Sequence, residues 1–138
     1  MKIVIDTNVF IAAIIKPSLV RRLLVEAPAN LLFPEAILDE LEDHKLEILK
    51  KSGLNQKDFE IVKSTLLKYV EIIPTESIKP FSKQALKIIG PIDPDDTPFI
   101  ATCLANEAIL WSDDKDLKKQ NEIKVLDTKE IISLFSKL

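Results

Sequence analysis

Apolar and polar residues follow two rhythms along this chain. Five short β-type runs, at 2–5, 30–33, 70–73, 108–111 and 124–126, are separated by longer stretches in which apolar residues recur every three or four positions. Pro17 divides the first long stretch into helices over 8–15 and 18–26. Pro34 suits a first helical turn and starts a helix whose buried face carries Ile37, Leu38, Leu41, Ile48 and Leu49, until Gly53 ends it. Asn55 caps the next helix, with Phe59, Val62, Leu66 and Leu67 inward. Thr97 as cap and Pro98 at the first position begin a helix with Phe99, Ile100, Cys103 and Leu104 as its stripe. Thr128 caps the last helix, with Ile131, Ile132 and Phe135 packed inward. This alternation predicts an α/β fold around a largely parallel sheet, and the two consecutive helices after the second run predict a helical arm beside it.

A chain of 138 residues has the size of one domain, 1–138, and needs no staples to hold a core. Cys103 stands alone, so neither an internal disulfide nor a thiolate metal site is expected. No apolar run approaches the ~20 residues of a membrane span, and the short run after Lys2 is interrupted by Asp6, unlike a signal peptide. A cytoplasmic location is the default expectation. With only Gly53 and Gly90, there is no glycine-rich phosphate loop. A net charge of −3 argues against nucleic-acid binding through bulk positive charge, though not against an acidic pocket neutralised by cations. Two local basic lines exist, Lys79, Lys83 and Lys87, and Lys115, Lys118 and Lys119, which also read as solvated faces.

The chemistry is carried by acids. Asp6 closes the first apolar run, and Asp114 follows the fourth; ligand sites of open α/β sheets form at such strand ends. Asp6 also reads as a helix cap, and the two roles can coexist. Glu40 falls at the edge of a buried helical stripe, beside Ala36 and His44. Asp96 competes with Asp93 and Asp95, all at a helix start where the dipole favours carboxylates, and is preferred for its spacing to Ile100 and Cys103. Asp114 has Asp113 and Asp116 as rivals. His44, the only histidine, reads as a surface residue before it reads as an outer partner of Glu40. Nucleophilic catalysis by serine or cysteine would need a base, and only His44 is on offer. A phosphoryl-accepting Asp6 lacks the second aspartate two positions on.

These residues resemble the PIN-domain family. The resemblance rests on Ile3-Val4-Ile5-Asp6-Thr7-Asn8, on Leu38-Asp39-Glu40-Leu41, on Asp95-Asp96-Thr97-Pro98-Phe99-Ile100-Ala101-Thr102, and on Leu110-Trp111-Ser112-Asp113-Asp114-Lys115-Asp116-Leu117. It covers essentially the whole chain. It implies a three-layer α/β fold with a parallel sheet in the order 3-2-1-4-5 and helices on both sides. It also implies a ribonuclease that cuts single-stranded RNA with Mg²⁺ or Mn²⁺, the toxin of a toxin–antitoxin pair in many small members, with a protein antitoxin as partner. Asp6, Glu40, Asp96 and Asp114 match the four acidic positions, Asp116 an auxiliary acid, and Thr7, Asn8 and Ser112 polar positions near the site. Asp6, Asp96, Asp114 and Asp116 are the expected metal-holding set. The surplus acids Asp93, Asp95 and Asp113 depart from the pattern, so the third and fourth ligands could each slip. Hard oxygen ligands select Mg²⁺ or Mn²⁺ over zinc. The alternative is a PIN-like module that binds RNA or protein without cutting. A homodimer is expected, with Leu19, Leu23, Leu24, Leu66 and Leu67 available for a two-fold interface.

Overall fold

A computed structural model describes all of residues 1–138. Five parallel strands, β1 (Lys2–Ile5), β2 (Asn30–Pro34), β3 (Glu71–Ile73), β4 (Ile109–Trp111) and β5 (Val125–Leu126), form one sheet in the order β3-β2-β1-β4-β5. β1 is central, with Val4 opposite Leu32 on one side and Leu110 on the other. Its Ile3, Val4 and Ile5 are wholly buried, as expected for a parallel strand covered on both faces, which reads as a continuous apolar run. The order reverses between β1 and β4, so Asp6 and Ser112 leave the sheet side by side; the Asp6 N–H donates to the Trp111 carbonyl at 3.2 Å.

The helices are α1 (Thr7–Ile15), α2 (Leu19–Glu26), α3 (Ile37–Asp43), α4 (Lys45–Ser52), α5 (Gln56–Leu67), α6 (Thr75–Ile78), α7 (Ser82–Ile89), α8 (Thr97–Asn106) and α9 (Thr128–Ser136). One apolar core joins Phe10, Phe33, Phe59, Phe99 and Trp111 from both sides of the sheet. α1 lies against α3, α4 and α5, and so ties the helical arm to the central strand that carries Asp6. Gly53 ends α4 at φ 73, and Asn55 caps α5 by accepting the Asp58 N–H. Arg21 of α2 donates to the Ala13 and Ile14 carbonyls at 2.7 and 3.0 Å, closing the end of α1 across the Pro17 turn.

Several local expectations change. Pro34 ends β2 instead of starting a helix; at that point the ladder is continued by Glu35, whose N–H donates to Ile73, so the missing proline donor costs nothing. The single helix expected up to Gly53 is two, because His44 leaves helical geometry (φ −92, ψ 4) between α3 and α4. Glu42 and Asp43 load the last turn of α3 with charge of the sign its dipole disfavours. Thr97 is the first residue of α8 and bonds back to Pro94, leaving Asp96 at the cap position. Asp127, not Thr128, caps α9, in a reciprocal box with Glu130. Ile132 faces outward, and Leu134 takes its inward place. α7 is an additional helix, with Lys83 and Lys87 on its exposed side.

Candidate functional site

At the carboxyl ends of β1 and β4 lies an open cavity of about 300 Å³, lined by Asp6, Thr7, Asn8, Glu40, His44, Asp93, Asp95, Asp96, Phe99 and Asp114. Six of these ten carry carboxylates and His44 is the only base among them. A larger cleft of about 430 Å³ opens at the opposite, amino ends of the strands, but Glu71 is its only acid. Chemistry, not size, marks the first of the two.

The six acids come from four chain segments, three of them from the turn at 93–96. Asp6 is 6% exposed, and both its oxygens are engaged: Oδ1 accepts the Val9 N–H at 2.9 Å, capping α1, and Oδ2 accepts the Ser112 hydroxyl. Burial pushes its carboxyl above the ordinary value; the bonds from Ser112 and Val9 pull it back, and the charges of Asp113 and Asp114 push it up again. Glu40, on α3, accepts the Thr7 hydroxyl at 2.6 Å, which joins the helical arm to the end of β1. Asp114 follows β4; its N–H donates to the Ser112 hydroxyl at 3.1 Å, and its carboxylate accepts the Asp116 N–H at 3.0 Å. Ser112, 1% exposed, therefore bridges Asp6 and Asp114.

Asp96 is the acid most out of balance. Its carboxyl is pushed up to about 7, first by burial and then by the charges of Asp93, Asp6, Asp114 and Glu40. The four acids singled out from the sequence thus share one electrostatic environment. Asp95 is exposed and Asp96 half-buried, so position 96 is the more enclosed of the two. Asp93 lines the pocket together with Asp96. The signal is the three-residue spacing within a single 3₁₀ turn at Pro94–Asp96, which aligns residues i and i+3.

Asp113 and Asp116 fall outside the cavity. Asp113 turns away and spends both oxygens on Thr128, at 2.7 and 2.8 Å. Asp116 does not line the cavity; it is exposed and paired with Lys119 at 2.9 Å. Lys118 is held by Glu130 and Asp127, so most of the second basic line is neutralised locally. Asn8 is exposed at the rim, and His44 leans toward Glu47 at 3.5 Å. Leu24 and Leu66 belong to the core, which leaves Leu19, Leu23 and Leu67 of the expected interface residues at least partly accessible.

The donor set is all oxygen and suits a hard divalent cation. No three of these side chains lie close enough to chelate one ion as they stand. Asp6 and Glu40 are held by their own hydroxyl partners, and uncompensated carboxylates brought to about 4 Å would repel by about 4 kcal/mol in an effective dielectric near 20. No helix is long and apolar enough to cross a membrane.

No curated protein matches the chain. Among solved structures, it is similar to a chain in the crystal structure of VapBC2 from Rickettsia felis bound to a DNA fragment from their promoter. The TM-score is 0.68 at 20% identity, covering 92% of this chain and 98% of that one. At that identity the likeness speaks for the fold. The PIN domain family model matches residues 4–133, from within β1 to within α9, and so spans the sheet and every acid of the pocket. The chain belongs to the PIN-domain family.

Proposed function

We propose that this PIN domain is a metal-dependent endoribonuclease that cuts single-stranded RNA in the pocket formed by Asp6, Glu40, Asp96 and Asp114. One observation carries the reading: acids from four separate chain segments face one cavity at the switch point of the sheet, at an electrostatic cost written in the raised pKa of Asp96. Like charges gathered without a partner are a poor arrangement for stability and a good one for holding cations.

Asp6, Asp96 and Asp114 are the residues that would hold Mg²⁺ or Mn²⁺, with Glu40 beside them. When bound, the cation supplies an activated water and offsets the charge of the scissile phosphate. The protein's part is orientation. Ser112 and the Val9 N–H fix the Asp6 carboxylate, and Thr7 fixes Glu40. Ser112 and the Asp116 N–H set the direction of Asp114. The Asn8 carboxamide at the rim is free to donate to a phosphate or ribose oxygen. Hydrolysis adds water across one P–O bond and releases two strand ends.

The reading extends to partners. The shared fold with a chain of VapBC2 supports a toxin that is held by a protein antitoxin. Leu19, Val25, Ile61 and Tyr69 are exposed apolar positions on α2, on α5 and just after it that would suit a second copy of the chain.

The test is a labelled unstructured RNA incubated with Mn²⁺, with EDTA, and with Asp6→Asn. Cleavage that needs Mn²⁺ and is lost in the variant is the expected result. Cleavage that survives both EDTA and Asp6→Asn would place the activity elsewhere. RNA retention without cutting would favour a binding module.

A further inference from the structure

Asp113 does not line the acidic pocket, yet like Asp6 it has both oxygens engaged. Its two oxygens accept the backbone N–H of Thr128 at 2.7 Å and the Thr128 hydroxyl at 2.8 Å. The same hydroxyl accepts Trp111 Nε1–H at 3.0 Å, and Trp111 is wholly buried. The residues on either side of Ser112 thus converge on a single residue at the start of α9.

α9 does not depend on this contact for its cap. Asp127 already accepts the Glu130 N–H at 2.9 Å, and Glu130 returns the bond to the Asp127 N–H. What Asp113 uniquely holds is its own strand exit. Ser112 turns the opposite way, donating to Asp6 and accepting from the Asp114 N–H. The segment is clamped outward at 111 and 113 and inward at 112, and Asp114 takes its direction from that clamp.

We propose that Asp113 and Thr128 are a positioning pair, which holds the exit of β4 so that Asp114 faces Asp6 and Asp96 and the pocket keeps its affinity for a divalent cation. The affinity half rests on the metal-dependent reading above; the clamp itself does not.

Two measurements on the full chain decide it: amide hydrogen exchange, and titration with Mn²⁺ alone followed by electron paramagnetic resonance. In Asp113→Ala and Thr128→Val, exchange at Asp114 and Asp116 should rise about tenfold while Glu130 and Ile131, still capped by Asp127, stay within about threefold. Mn²⁺ affinity should fall about tenfold, the range seen when an outer partner of a metal ligand is removed. Thr128→Ser keeps the contacts and should stay near wild type. The double variant Asp113→Ala/Thr128→Val should be no worse than Thr128→Val, which alone also removes the acceptor of the Trp111 indole N–H. If exchange rises at Glu130 and Ile131 and not at Asp114, Asp113 is a helix cap only and the proposal is overturned. It is also overturned if Asp113→Ala binds Mn²⁺ as tightly as wild type while Asp6→Asn does not. A wild-type chain that binds no Mn²⁺ would sink the metal-site reading and the affinity half with it, and the exchange pattern would still rule on the clamp.

Discussion

Asp96→Asn should make the protein more stable at alkaline pH than at acidic pH, relative to wild type. The Asp96 carboxyl titrates near 7 in the folded protein against an ordinary 3.8. Between those values the native state holds a proton that the unfolded chain has released. Stability is therefore lost as pH rises from about 4 through 7, and the penalty is complete above 7. At about 1.36 kcal/mol per pH unit the full shift is worth at most about 4 kcal/mol. The side chain is only about half enclosed, so solvent screening brings this to about 2 kcal/mol. Asparagine keeps the shape and removes the titration. The assay is urea unfolding of both proteins without divalent cation at pH 4.5 and pH 8. Wild type should lose about 1–2 kcal/mol more than Asp96→Asn over that interval. Parallel pH profiles would refute the reasoning, since they would mean that Asp96 neither is desolvated nor feels its neighbours.

Mn²⁺ should stabilise wild type at pH 8 by about 1.4 kcal/mol at ten times its dissociation constant, and Asp6→Asn should blunt the gain; an unchanged urea midpoint at millimolar Mn²⁺ counts against a metal site. Arg21→Ala removes two charged hydrogen bonds from the end of α1 and should cost about 2 kcal/mol in the same assay; a loss within experimental error would mean that water replaces the guanidinium freely. Light scattering at micromolar concentration should give about twice the 15.6 kDa chain mass; a clean single-chain species would rule out the homodimer.

Most of the sheet and the main acids were legible because they follow from short-range rules. A buried parallel strand must be an unbroken apolar run, and Ile3, Val4 and Ile5 are one, so the acid that ends it stands at a strand end. Glu40 was legible as the polar edge of the Ile37–Leu41 stripe. What escaped depends on which neighbour wins a partner. Asp113 and Asp114 are chemically identical in sequence, and only the position of Thr128 separates them. A clue was present: past β4 the chain stays extended, so alternation puts Ser112 and Asp114 on one side and Asp113 on the other. Thr128 looked like a cap because threonine often is one, but its hydroxyl was needed by Trp111 and Asp113, and Asp127 was free to cap with Glu130. Leu24 and Leu66 read as an interface because periodicity shows that a face is apolar without showing what covers it.

Helix capping and cation binding are two readings of these aspartates that can coexist, and the caps are present in the structure. Asp6 caps α1, Asp114 caps the 3₁₀ turn at Lys115–Lys119, and Asp96 holds the cap position of α8 without a side-chain bond. Each charge thus meets a positive helix end, worth roughly 0.3–1 kcal/mol. For Asp6, burial is opposed by that cap and by Ser112, which is how a nearly enclosed carboxylate is tolerated. Asp96 has no such bonds, and burial with four neighbouring charges pushes its pKa up to about 7. Local capping therefore makes the cluster possible and leaves it short of positive charge. The deficit is concentrated on Asp96, and no lysine or arginine lines the cavity to meet it. A divalent ion brought in from solution is the species that would, which ties the stability of this pocket to the same event on which its proposed catalysis depends.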